Sequence, residues 1–241
     1  MDTLNVNTIE PEGGTTTINV GLSGKNVIIT DNLKANTLKD AGGNTIFTSN
    51  GSGVLSSVNS GFGSAQVLLS TQTASNSASI EFTSGIDSTY KEYVFDLTNI
   101  VPVTDNVDFK FEISIDAGSS YGVSQTTTNF SAIHNEDDGY AALSYQAGMD
   151  LANSTNPQTI TWGNTPNNDG SLSGEVHLFN PSSTTYVKNW YLRTQQKSTN
   201  PRSQDQYAAG YVESTSAVTG IKFIMSSGNI SAGTFKMYGI K

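Results

Sequence analysis

Two histidines, 21 acidic residues and no cysteine define the chemistry open to this chain of 241 residues. His134 stands directly before Asn135, Glu136, Asp137, Asp138 and Gly139, so an imidazole and three carboxylates fall within one short run. Hard cations take such oxygens. The run lacks the alternating ligand rhythm of a calcium loop and reads first as a solvated acidic loop. Cation binding and contact with a receptor or a neighbouring chain are its alternatives. His177, in Glu175-Val176-His177-Leu178-Phe179, sits beside apolar neighbours and reads as a strand histidine that packs or faces water. Serine is abundant, yet no Gly-x-Ser-x-Gly elbow is present to expose one as a nucleophile. The lack of cysteine excludes a thiol nucleophile, a thiolate metal site and a disulfide framework together. Phosphate loops are missing too, Gly61-Phe62-Gly63 being a hinge fragment. Glycoside cleavage needs two carboxyls about 5–10 Å apart across a cleft. Sixteen acids follow residue 60, and their spacing marks no two of them as a pair. The chain therefore reads as non-enzymatic, with no cofactor and no metal assigned.

Sugar recognition is the more serious chemistry. Aromatic faces stack on sugar rings while amides and carboxylates take the hydroxyls, and loops on a rigid scaffold display such groups. Tyr140, Tyr145, Trp162, Trp190 and Tyr191 are the aromatics to weigh. Trp190-Tyr191-Leu192 reads as core strand, whereas Trp162 borders a long polar stretch, 163–173. The candidate receptor-contacting residues are Tyr140, Trp162, Asn167, Asn168 and Asp169.

The elements that must hold these residues follow from composition. Ser, Thr, Asn and Gly supply 106 of the 241 residues, a poor recipe for helices because the first three divert backbone hydrogen bonds and glycine costs entropy. Threonine and the aromatics suit pleated strands instead. Candidate strands cover 66–71, 79–82, 92–97, 107–115, 142–146, 159–162, 175–179, 185–193, 206–212, 221–225 and 234–238, separated by turn residues. Val107, Phe109, Phe111 and Ile113 alternate with Asp108, Lys110 and Glu112, as on an antiparallel sheet with one wet face. The expected fold is all-β, with an antiparallel β-sandwich over 61–241.

The first 60 residues differ. Leu4/Val6, Ile18/Val20/Leu22 and Val27/Ile29 form short alternating stretches, and the segment has one Phe, no Tyr and no Trp. So little apolar surface cannot offset its ordering entropy alone, which predicts pairing with other copies of the chain. Residues 49–64 are rich in Gly and Ser and read as a neck. Twelve basic against 21 acidic residues give a net charge of −9, which disfavours nucleic acid and anionic membranes. No run of about 18 apolar residues predicts a membrane span, and the amino terminus lacks the pattern of a secretory signal.

Several phrases are recognisable: Gly43-Asn44-Thr45-Ile46-Phe47, the segment from Ser79-Ile80-Glu81-Phe82 to Tyr93-Val94-Phe95, Ser114-Ile115-Asp116-Ala117-Gly118, Leu178-Phe179-Asn180-Pro181, and the ending Gly233-Thr234-Phe235-Lys236-Met237-Tyr238-Gly239. Through them the chain resembles fibre and fibre-like virion proteins of marine tailed bacteriophages, over most of its length. The resemblance implies a homotrimer carried on tail or head, with a slender intertwined β stalk over 1–60 and a jelly-roll-like tip over 61–241. The expected contacts of such a chain are with other virion proteins through the amino terminus, at Leu4, Val6 and Ile9, and with a host-surface glycan through the tip. A capsid-decorating or tail adaptor without receptor binding, and a polysaccharide-degrading tip, are the alternative functions.

Overall fold

Strands, and no helix, form among the residues that the computed structural model describes, which are 36–40, 42–49, 51–52, 55–58, 65–166 and 170–241. The chain divides into two compact units, Met1–Gly63 and Ser64–Lys241. In the first, β1 (Thr37–Lys39), β2 (Thr45–Ser49) and β3 (Leu55–Val58) pair antiparallel in the order β1-β2-β3. Asp40 closes the turn after β1, its Oδ1 accepting the Asn44 backbone N–H at 2.8 Å. Phe47 lies in register with Leu38 and Val58 and is half-buried. Leu4, Val6 and Ile9 lie outside the described residues.

The second unit holds β4 (Gln66–Ser77), β5 (Ile80–Phe82), β6 (Glu92–Pro102), β7 (Val107–Ser114), β8 (Gln125–Asn135), β9 (Ala141–Tyr145), β10 (Gln158–Asn164), β11 (Leu172–Phe179), β12 (Lys188–Lys197), β13 (Arg202–Val212), β14 (Gly220–Met225) and β15 (Ile230–Ile240). They form an antiparallel β-sandwich with unequal layers. The large sheet has eight strands in the order β4-β15-β6-β11-β12-β13-β8-β9, and the small one four, β10-β7-β14-β5. Between them lies a core of aromatic rings. Phe223 of β14 is fully buried and within ring-contact distance of Phe82, Phe95, Phe109, Phe111 and Phe235.

All eleven expected strands are present, and β8 is a twelfth that alternation did not reveal. Its inward residues Gln125, Thr127, Asn129 and Ser131 are buried yet polar. Segment 146–157 runs along the edge of β8, where Gln125 and Ser154 exchange backbone hydrogen bonds of 2.9 and 3.0 Å, and the inward side chains take up polar groups of this segment and of neighbouring strands that have left water. Leu151 N–H donates to Thr127 Oγ1 at 2.8 Å, and Gln146 N–H to the Asn129 carbonyl at 2.8 Å. Trp190 Nε1 donates to Gln125 Oε1 at 2.9 Å.

A second buried polar group stands at the start of β12. Lys188 is fully buried, and its Nζ donates to the carbonyls of Ser183, Tyr186 and Ser214 at 3.1, 3.2 and 2.9 Å. Burial pushes its ammonium below the ordinary lysine value. Lys188→Met should keep the stem's packing and strand three carbonyls, lowering stability by about 2 kcal/mol in urea unfolding. A variant as stable as the parent would show that these carbonyls find other partners.

The register also gives the sandwich a polarity. Gln66 pairs with Ile240, so the chain enters β4 and leaves β15 at one end. Antiparallel pairing then carries the connections β8–β9, β10–β11 and β12–β13 to the opposite end. The Thr199 N–H donates to the Gly163 carbonyl there at 2.8 Å and fastens the β12–β13 connection to the end of β10.

Candidate functional site

At this far end the acidic loop after β8 meets the loop after β12. Glu136 N–H donates to the Pro201 carbonyl at 3.0 Å, and Asn135 N–H to the Tyr140 carbonyl at 2.9 Å. Asp138 reverses the chain at φ +59°, a conformation that Asp tolerates better than bulkier residues. Between the loops is a depression of about 630 Å³ lined by Asn135, Glu136, Asp137, Tyr140, Asn200, Pro201 and Arg202. Tyr140 is 52% exposed. Ser198 holds both sides of the second loop: Arg202 Nε donates to its Oγ at 3.1 Å, and that hydroxyl donates to the Asn200 carbonyl at 2.9 Å. A ring, a guanidinium, amides and carboxylates thus share one concave surface, a set able to hold a hydroxyl-rich ligand.

The carboxylates of the acidic run do not converge. Asp137 Oδ1 accepts the Gly139 N–H at 2.9 Å, Asp138 Oδ1 lies 3.0 Å from His134 Nε2, and Glu136 Oε1 lies 3.9 Å from Lys197 Nζ. Among the described residues no group of three or more His, Asp or Glu is placed to hold a metal ion.

Of the five candidate receptor residues, Tyr140 lines this depression. Trp162 is half-buried on β10 and does not line it; its carbonyl accepts Gln196 Nε2 at 2.5 Å. Asn167, Asn168 and Asp169 lie outside the described residues. The reading of Trp190-Tyr191-Leu192 as core holds for two residues. Trp190 and Leu192 are buried, whereas Tyr191 points outward and stacks on His177 at 4.4 Å. His177 Nδ1 lies 2.6 Å from Glu92 Oε1, which ties this strand histidine to β6.

A second surface was missed by the sequence reading. On the outer face of the large sheet, Asp96, Glu175, Arg193, Tyr207, Phe130 and Tyr145 occupy directly opposed positions on β6, β11, β12, β13, β8 and β9. A depression of about 410 Å³ lies among Asp96, Thr98, Ser173, Glu175, Arg193 and Asp205. Six strands contribute to the row, so no linear motif announces it. The usable signal was the inward alternation of β12, which places Tyr191, Arg193 and Gln195 outside.

No family model, curated protein or solved structure matches this chain.

Proposed function

We propose that this chain is a fibre-type virion protein that assembles through its N-terminal unit into a homotrimer and presents the far end of its sandwich to a host-surface glycan. One observation supports this reading above the others. Both chain passages lie at one end of the sandwich, where Gln66 pairs with Ile240, and the Tyr140–Arg202 depression lies at the other. Such a module can be held at one end and make contact at the other. Weak contacts repeated over three chains raise avidity by about 10² to 10⁴ without a deep pocket. The net charge of −9 favours a glycan over a nucleic acid as the contacted polymer.

Light scattering on the full chain should give three times 25.6 kDa. Tyr140→Ala combined with Arg202→Ala should lower retention on immobilised bacterial surface polysaccharide about tenfold, with mass and melting temperature unchanged. A monomer at micromolar concentration would remove the fibre reading, and full retention by the double variant would remove the far-end site. Release of reducing ends from the bound polymer would replace attachment by cleavage.

A further inference from the structure

The outward face of an exposed antiparallel sheet is ordinarily polar. On β8 and β9 it is not: Phe130, Leu143 and Tyr145 are 42%, 73% and 55% exposed. Exposed apolar groups gathered on one face mark a contact surface. Here they continue a straight row. Phe130 and Tyr207 stack nearly parallel, 3° apart with ring centres at 4.9 Å, and the Arg193 guanidinium lies over the Tyr207 ring at 5.2 Å. Arg193 in turn grips Asp205 through Nε at 3.2 Å and Nη2 at 2.9 Å, and the Tyr207 hydroxyl donates to the same carboxylate at 2.9 Å. Beyond Arg193 the row runs through Glu175 to Asp96, over the 410 Å³ depression.

The row is rigid and evenly divided. The ladders β11–β12, β12–β13, β13–β8 and β8–β9 run without a register shift. At about 4.8 Å per strand, Glu175 to Tyr145 spans roughly 19 Å. That length exceeds a single sugar and suits several units of an extended chain. Charge narrows the occupant further. Asp96, Glu175 and Asp205 outnumber the cations of the row, Arg193 and Lys236, and both cations stand beside a carboxylate. A polyanion finds no open positive field there. A neutral polymer finds apolar surface at one end and hydroxyl partners of both kinds at the other.

We infer that this face is a binding track for a neutral polysaccharide lying across the strands, an assignment that rests on the glycan-attachment reading and adds a second, extended surface to its far-end site. Contact along the track is additive, so longer oligosaccharides bind more tightly until the row is filled. Tyr145 and Leu143 supply the exposed apolar end of the track, Tyr207, held between Phe130 and Arg193, keeps its middle rigid, and Glu175 accepts hydroxyls in the depression.

Affinity electrophoresis of the full chain in gels carrying laminarin, xyloglucan or mannan, with alginate as the polyanion, tests this. At least one neutral polymer should retard the chain and alginate should not. Tyr145→Ala and Glu175→Gln should each weaken retardation about tenfold at unchanged melting temperature, Tyr145→Phe should restore most of it, and Tyr186→Ala, at an exposed position before β12, should leave it in place. Laminarin oligomers of increasing length should compete with rising strength. Retardation abolished by Tyr140→Ala but indifferent to Tyr145→Ala would overturn the track and leave the far-end site standing. Retardation by alginate alone, or by no neutral polymer, would overturn the track as well, and the cell-polysaccharide retention test then decides the far-end reading separately.

Discussion

Phe223→Ala is expected to lower the stability of the sandwich by about 4 kcal/mol, toward the upper end for removing an aromatic ring from a close-packed core. Five neighbours make the loss large. Phe223 stacks on Phe109 at 5.9 Å and 13°, meets Phe82 edge-on at 6.5 Å and 88°, and lies 6.0, 6.5 and 5.5 Å from Phe95, Phe111 and Phe235. These rings come from both sheets, so backbone held by two hydrogen-bonded ladders cannot collapse into the space left behind. Trp190 packs edge-on against Phe111 at 4.9 Å and offers a fluorescence probe of the unfolding transition. Leu68→Ala, at an exposed position on β4, should shift the urea midpoint little. A loss below about 1.5 kcal/mol for Phe223→Ala would show that the ring cluster relaxes and is not the centre of stability.

Gly174→Ala should destabilise by about 3 kcal/mol although it adds a single methyl group. A Cβ at this position would lie 2.2 Å from the Arg193 carbonyl oxygen and 2.6 Å from the Thr194 Cα. Both belong to β12, paired on each side in the middle of the large sheet, and neither can yield without breaking a ladder. Gly148 is the control, because nothing stands within 4 Å of its added Cβ. Gly148→Ala should melt with the parent. Equal melting of the two variants would show that β11 and β12 can separate without disturbing the rest of the sheet. Gly174 also lines the outer depression beside Glu175 and Arg193, so its substitution should weaken polysaccharide retardation at temperatures where the protein stays folded.

Where one sheet face meets a hydrocarbon core and the other meets water, the amino-acid order carried the structure openly. β7 is the clearest case, with Val107, Phe109, Phe111 and Ile113 buried and their polar neighbours only partly so. Legibility failed where the covering partner was polar backbone. β8 buries Gln, Thr, Asn and Ser among such partners as the Leu151 N–H, the Thr159 carbonyl and the Trp190 ring N–H, and no rule based on apolar periodicity can register such a strand. Lys188 escaped for the same reason, since its inward position is apparent only once the three carbonyls around its Nζ are in place. The far-end site was half legible. The acidic run and Tyr140 are local in sequence, whereas Arg202 joins them through the Glu136–Pro201 hydrogen bond between loops more than 60 residues apart. The outer row was illegible, because one residue from each of six strands leaves no local trace.

The pairing of Gln66 with Ile240 also decides how the molecule bears load. A pull between the far end and the amino-terminal end of β4 runs along the strands, while the hydrogen bonds joining β4 to β15 lie across them. Tension therefore shears all ten paired positions at once and cannot unzip them singly, so this edge strand should yield only at high force.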